Sequence, residues 1–253
     1  MPVKSAARAI AVLEHFAATR RPLALKHVAA ALGYPQSSAS VLLKTLTTLG
    51  YLNYHRGRRV YFPTLRVAAL GDWVAGDLLG RGDLGGIVRS VRDATGEQAA
   101  IAVQNDIYLQ FIRLMPPAGS GRFHIDEGAM ILLTQSAVGW TLLAALTDRQ
   151  ADDVARRARI AAGRAAAAAA PPPPVAEVMA AVRRIRRDRF GYAENRPFPD
   201  VAALCVPLPI RIQDQAAVLG IGGPLARMRA NRARYLGILR GAAARIEAAR
   251  AAP

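Results

Sequence analysis

The sequence predicts an α+β chain in two parts, a helix-turn-helix with a wing followed by a larger domain that mixes strands and helices. Three observations carry that expectation. Two apolar-periodic segments meet at Gly33-Tyr34-Pro35, and an aromatic strand pair with an arginine-rich tip follows them within Leu25–Pro63. Beyond Asp83 the pattern changes to strand-like runs set between helical ones. At 253 residues the chain can hold one large domain or two ordinary ones, and its 52% hydrophobic content is ample for a buried core.

The elements follow in order. Ala6, Ala9, Ile10, Leu13, Phe16 and Ala17 share one face of a helix expected over Ser5–Thr19, with Ser5 as its N-cap. Arg20-Arg21-Pro22 ends it, and Leu23–Leu25 can add a short strand. A second helix over about Leu25–Leu32 stops at Gly33, a good C-cap residue, and Pro35 cannot continue it. A third helix, about Gln36–Leu49, carries Ala39, Leu42, Leu43, Leu46 and Leu49 on one side. At about 100° per residue Ser37, Val41, Lys44 and Thr48 fall on the opposite side, with Ser40 at its margin. Tyr51–His55 and Arg59–Pro63 alternate as a hairpin around Arg56, Gly57 and Arg58. Leu65 to about Leu79 is helical again and ends at Gly80-Arg81-Gly82-Asp83. The expected divisions are therefore 1–64 for the winged domain, 65–82 for a linker helix and 83–253 for the second domain.

In the second domain a helix near Leu84–Ala94 leads to strands at Glu97–Gln104 and Ile107–Met115 around an Asn105-Asp106 turn. Arg122–Asp126 and Ala129–Leu133 flank Glu127-Gly128 as a further hairpin signal. Helices are expected at Ala137–Leu146, Arg149–Ala162 and Val175–Arg189, with a low-complexity insertion at Ala165–Ala170 and Pro171–Pro174. Apolar strands follow near Ala203–Ile210 and Ala216–Gly222, then a terminal helix over Arg229–Arg250.

Charge supplies the first functional indication. The formal net charge is +16, and only three of the 34 basic residues are lysines. From Met1 to Arg66 there are ten Lys or Arg against one acid, Glu14, while the rest of the chain holds 24 basic and 17 acidic groups. A basic N-terminal quarter is the footprint expected of phosphate binding. No apolar run reaches the roughly 18 residues of a membrane span, and the start lacks a signal-peptide core, so a cytoplasmic protein is expected. The single cysteine, Cys205, excludes an internal disulfide and reads as a buried thiol in an apolar strand. His15, His27, His55 and His124 have no partner at ligand spacing, so no metal is expected. There is no Gly-x-Ser-x-Gly, no Walker loop and no His-Glu-x-x-His, so no catalytic residue or cofactor is assigned.

The chain resembles the IclR family of bacterial transcription regulators over nearly its whole length. The opening Ser5-Ala6-Ala7-Arg8-Ala9-Ile10-Ala11-Val12-Leu13-Glu14 is similar to the family's first helix, and Pro35 to Leu46 to its recognition helix. Gly50-Tyr51-Leu52 begins the wing in the same way. Further on, Ser136-Ala137-Val138-Gly139-Trp140-Thr141-Leu142-Leu143-Ala144, Phe190-Gly191-Tyr192-Ala193-Glu194 and Leu219-Gly220-Ile221-Gly222-Gly223-Pro224 resemble three more of its segments. The resemblance implies a GAF-like effector-binding domain, an antiparallel sheet flanked by helices, after the linker helix. It also implies a homodimer or homotetramer that binds double-stranded operator DNA and senses a small organic metabolite, aromatic or carboxylic. Departures are visible. Val41 stands where the family carries arginine, Gln36 where it carries a basic residue, and Thr134 where histidine is common. Ala203 replaces a frequent cysteine, and Gly220 and Gly222 replace serines, which predicts a roomier and less polar pocket.

The candidate DNA contacts are Gln36, Ser37, Ser38, Ser40 and Lys44 on the third helix, and Arg56, Arg58 and Arg59 at the wing tip. Gln36 can bridge N6 and N7 of adenine, the serines can serve base edges or phosphates, and Lys44 suits phosphate. Serines at a helix start also serve as plain caps. Candidate effector contacts are Glu194 and Asp200 at the mouth of the pocket, with Met130, Trp140, Ala203, Gly220 and Gly222 lining it. Two other readings stay open at this point: a non-specific nucleic-acid binder, and an enzyme with an N-terminal docking module.

Overall fold

The computed structural model describes residues 3–70, 84–119, 125, 128–164 and 172–251. The chain divides into two compact units, Met1–Leu78 and Leu79–Pro253.

The first unit starts with α1 (Lys4–Thr19), α2 (Leu25–Leu32) and α3 (Gln36–Thr48). Ser5 is not the N-cap of α1. The helix begins earlier because the Val3 carbonyl already accepts from the Ala7 amide at 3.1 Å, and no side chain caps it. Arg20 closes α1 in the left-handed region at φ 50°. Leu23–Leu25 is not a strand: Leu23 makes one isolated bridge to Tyr61, and Leu25 already opens α2. Gly33 ends α2 at φ +65°, a conformation open to glycine at little cost. Strands β1 (Leu52–His55) and β2 (Val60–Pro63) pair antiparallel, His55 opposite Val60. Val12, Phe16, Leu23, Val28, Leu43, Leu46, Leu52 and Tyr61 form one core under the three helices and the hairpin. Burial of each large side chain there stabilises by roughly 1.5–3 kcal/mol, which fixes the roll of α3 about its axis. Leu49 departs from the expected buried side. It caps α3 where the chain turns into Gly50, and it is 52% exposed. Helix α4 is described over 65–70. The rest of the expected helix to Leu79, and the Gly80–Asp83 boundary, lie outside the described residues.

The second unit is a six-stranded antiparallel sheet flanked by helices, in the order β5-β4-β3-β8-β7-β6. Its strands are β3 (Gln98–Asn105), β4 (Tyr108–Met115), β5 (Met130–Leu132), β6 (Gly191–Glu194), β7 (Val201–Ile212) and β8 (Gln215–Pro224). Helix α5 (Leu84–Thr95) precedes the sheet; α6 (Ala137–Ala144), α7 (Asp148–Arg164) and α8 (Val175–Asp188) fill the connection between β5 and β6. Side chains of α6, α7 and α8 share a core with Ala100, Ala102, Leu109, Phe111, Cys205 and Val218 of the sheet. Because strand side chains alternate, Ile101, Leu204 and Leu219 point to the opposite face, against which α5 and α10 (Arg232–Ala251) pack.

The second hairpin signal falls largely outside the described residues, at 122–124, 126 and 127; of its second arm, β5 pairs with β4, Leu109 opposite Ile131. The terminal helix does not start at Arg229. A short α9 (Leu225–Ala230) comes first, Asn231 leaves helical geometry at φ −110°, and α10 begins after it. Strand β6 was not foreseen, because four residues with a glycine and an alanine give almost no periodic signal. Of the low-complexity insertion, 165–171 lies outside the described residues.

Candidate DNA interface and ligand cavity

The inner face of α3 is held by Ala39, Leu43 and Leu46, all buried. The opposite face is thereby forced outward, and Gln36, Ser37, Val41, Lys44 and Thr48 are exposed there while Ser38 and Ser40 are half-buried. The nearest strand pair presents a second cationic element. Between β1 and β2 the turn Arg56–Arg59 closes with the Arg59 amide on the Arg56 carbonyl at 3.3 Å and the Arg58 amide on Nδ1 of His55 at 3.1 Å. All three arginines are exposed. The Tyr54 and Tyr61 rings, tilted by 37° with centroids 4.6 Å apart, pack together in the hairpin behind them. The base of the wing is tied to the end of α3 by Thr64 Oγ1 donating to the Gly50 carbonyl at 2.6 Å and by the Arg66 guanidinium over the Tyr51 ring. Helix face and arginine tip therefore form a supported pair, and the only acid between Met1 and Arg66 is Glu14.

One contributor was missed. The Arg8 guanidinium lies over the Tyr34 ring, 5.0 Å from its centroid, and Arg8 and Lys4 line an open groove with Ser37, Ser38 and Val41. Tyr34 thus positions a cation beside the start of α3, where helix amides favour an anion. The contact joins residues 26 positions apart, and no local pattern announces it.

In the second unit a cavity of about 50 Å³ lies between the sheet and the start of α6. Ala100, Phe111, Ile131, Val138, Ala203, Gly220 and Gly222 make its walls largely apolar. Its polar neighbours are mostly engaged: Gln98 exchanges hydrogen bonds with the Ile125 backbone, and Ser136 accepts the Gly139 amide as the N-cap of α6. The charged side chain in the lining is Arg196, whose guanidinium also reaches Glu177 at 3.3 Å.

Ala203, Gly220 and Gly222 thus line the cavity, whereas Glu194, Asp200, Met130 and Trp140 do not. Ala193 lies directly opposite Ala203 in the β6–β7 register, so its neighbour Glu194 points to the other face of the sheet. There it accepts from Tyr192 Oη at 2.7 Å and from Arg229 Nε at 2.9 Å, and Arg229 chiefly, with Tyr192, holds its carboxyl down at about 2. Asp200 sits at φ +59°, its amide donating to Asn195 Oδ1, and shapes the loop into β7. Met130 is 47% exposed on the edge strand. Trp140 belongs to the core, with Nε1 donating to the Thr134 carbonyl at 2.8 Å.

Cys205 is fully buried, 3.2 Å from Thr141 Oγ1, and burial pushes its thiol up to about 12. Ellman's reagent is therefore expected to leave the folded chain unlabelled and to react with one thiol only after denaturation. Rapid native labelling would contradict this burial. Among the described residues no cluster of three His, Cys, Asp or Glu could hold a metal; His124 lies outside them. No described helix is long and apolar enough to cross a membrane.

Residues 5–56 match the IclR helix-turn-helix domain. The effector domain of the IclR transcriptional regulator from Acinetobacter sp. ADP1 is similar at 31% identity and TM-score 0.59, over 73% of this chain and 98% of that one. The chain belongs to the IclR family. It is a transcriptional regulator with a helix-turn-helix DNA-binding domain. IclR-type folds extend over almost the full length: a transcriptional regulator from Rhodococcus sp. RHA1 aligns with TM-score 0.69 at 20% identity, covering 98% of each chain. IclR from Thermotoga maritima aligns with TM-score 0.68 at 16% identity, covering 95% of this chain and 96% of its own. No curated protein matches the chain.

Proposed function

We infer that this IclR-family regulator binds a pseudo-palindromic operator and responds to a small organic effector. Residues 1–64 act as the winged DNA-binding domain, 65–82 as the linker helix and 83–253 as the sensing domain. The observation that carries the reading is the outward face of α3 beside a supported, arginine-bearing wing. In it α3 enters a major groove with Gln36, Ser37, Ser38, Ser40 and Lys44, while Arg56, Arg58 and Arg59 contact phosphates or the adjoining minor groove. Arg8 and Lys4 add phosphate contacts at the start of α3. Two copies, as a homodimer or as half of a homotetramer in the cytoplasm, bring two such surfaces to the two half-sites.

The effector enters at the cavity of the second unit, whose volume of about 50 Å³ must widen to take it in. Apolar walls with Arg196 at the rim suit an aromatic or aliphatic body with one carboxylate. Such a ligand regulates only if it binds one arrangement of the assembly more tightly than another, which changes the separation of half-sites the dimer can reach. Footprinting of the DNA beside its own gene tests the first half of this reading, with two protected half-sites about one helical turn apart expected. Uniform or absent protection would refute it. A thermal-shift screen of aromatic and aliphatic carboxylates tests the second, since a ligand of the folded state raises the melting temperature by mass action. Binding left unchanged by Gly220→Val, which places a branched side chain against Val138 and Cys205, would argue against this cavity.

A further inference from the structure

The middle of the outward face of α3 is apolar. Val41 is 64% exposed, and at about 100° per residue it lies on the same strip of the helix as Ser37, Lys44 and Thr48. It has no role in the core, which Ala39, Leu43 and Leu46 supply. Nor does it favour the helix, since a branched β-carbon is a weaker helix former than alanine or leucine. It opens on a groove of about 670 Å³ whose other walls include Lys4, Arg8, Ser37 and Ser38. A methyl-bearing residue is thus ringed by small hydroxyls and by cations placed for phosphate. Ser37 and Ser38 are short enough to let the helix backbone come close to what it binds, and Val41 can neither donate nor accept a hydrogen bond.

Among the four unmodified bases only thymine offers a methyl group in the major groove, at C5. We propose that Val41 is a specificity-determining residue that reads the 5-methyl group of one thymine in each half-site by apolar contact. Lys44 and the serines beside it engage phosphates and neighbouring base edges. The inference rests on α3 lying in the major groove, as proposed above. Loss of one buried methyl from such a contact weakens binding about fourfold per half-site.

The test uses the full chain and duplexes selected by it from a random pool. Each thymine of the selected site is replaced in turn by deoxyuridine, which removes only the methyl. The expected result is one thymine position per half-site where deoxyuridine weakens binding about fourfold, with that penalty reduced in Val41→Ala, whose single methyl reaches less far. If the pool yields a defined sequence but no deoxyuridine substitution changes the affinity of the unaltered protein, the methyl-reading role of Val41 is wrong and the groove reading stands. A methyl effect that persists undiminished in Val41→Ala assigns it to another residue and overturns the proposal. If the pool yields no sequence, the groove reading fails and the proposal with it. Val41 is exposed and alanine is the better helix former, so Val41→Ala is expected to fold as the unaltered chain does.

Discussion

Replacing Arg56, Arg58 and Arg59 together by alanine is expected to weaken DNA binding roughly a hundredfold per bound protomer at about 0.15 M salt. The three side chains are exposed at a turn whose closure uses backbone amides and His55, not guanidinium groups, so the hairpin survives their loss. Each phosphate contact releases counterions and contributes about 0.9 to the slope of log K against log salt, so the variant should lose about 2.7 of that slope for each bound protomer, or about 5.4 for a dimer. The loss should be nearly the same for selected and random duplexes, because phosphate contacts carry no sequence information. Filter binding or anisotropy over a salt series measures it. A slope equal to that of the unaltered chain would remove the wing from the interface.

Gly139→Ala should destabilise the second unit by about 3 kcal/mol or more, a large effect for one methyl. A β-carbon at 139 would fall within the backbone of Leu133, at its α-carbon, carbonyl carbon and oxygen, none of which is a flexible tip. Helix α6 would have to move off the turn before it, breaking the Gly139 amide bond to Ser136 and shifting Val138 at the cavity wall. Gly237→Ala is the control. A β-carbon there meets nothing within 4 Å, and glycine inside α10 gives way to a better helix former, so that variant should gain up to about 1 kcal/mol. Denaturant unfolding of both variants, followed by far-UV circular dichroism, separates close approach from helix propensity. Equal stabilities would show that α6 does not sit as close to Leu133 as described.

Where a segment has strong period and clear punctuation, local chemistry was enough. Helices α2 and α3, the Gly33 turn and the wing could be read from apolar spacing and turn residues, and the exposed strip of α3 follows from the same spacing. The glycine of the Ser136–Ala144 segment was visible only as a motif; its cause is the Leu133 backbone, which no spacing reveals. The effector candidates divide along the same line. Ala203, Gly220 and Gly222 lie on long strands whose facing is set by alternation, and they line the cavity. Glu194 belongs to a four-residue strand, and a single step of register turns its carboxylate away from the cavity toward Arg229. Arg196 and Arg8 were missed because a loop and a cation–aromatic contact, respectively, place them.

The central claim is that this surface reads sequence as well as charge. Competition between a selected duplex and a random duplex of equal length, for the full chain at about 0.15 M salt, tests it most directly. A preference of about 10³ or more for the selected duplex is predicted. Equal affinity for the two would mean that the arginines bind phosphate while α3 reads nothing, which would contradict the account.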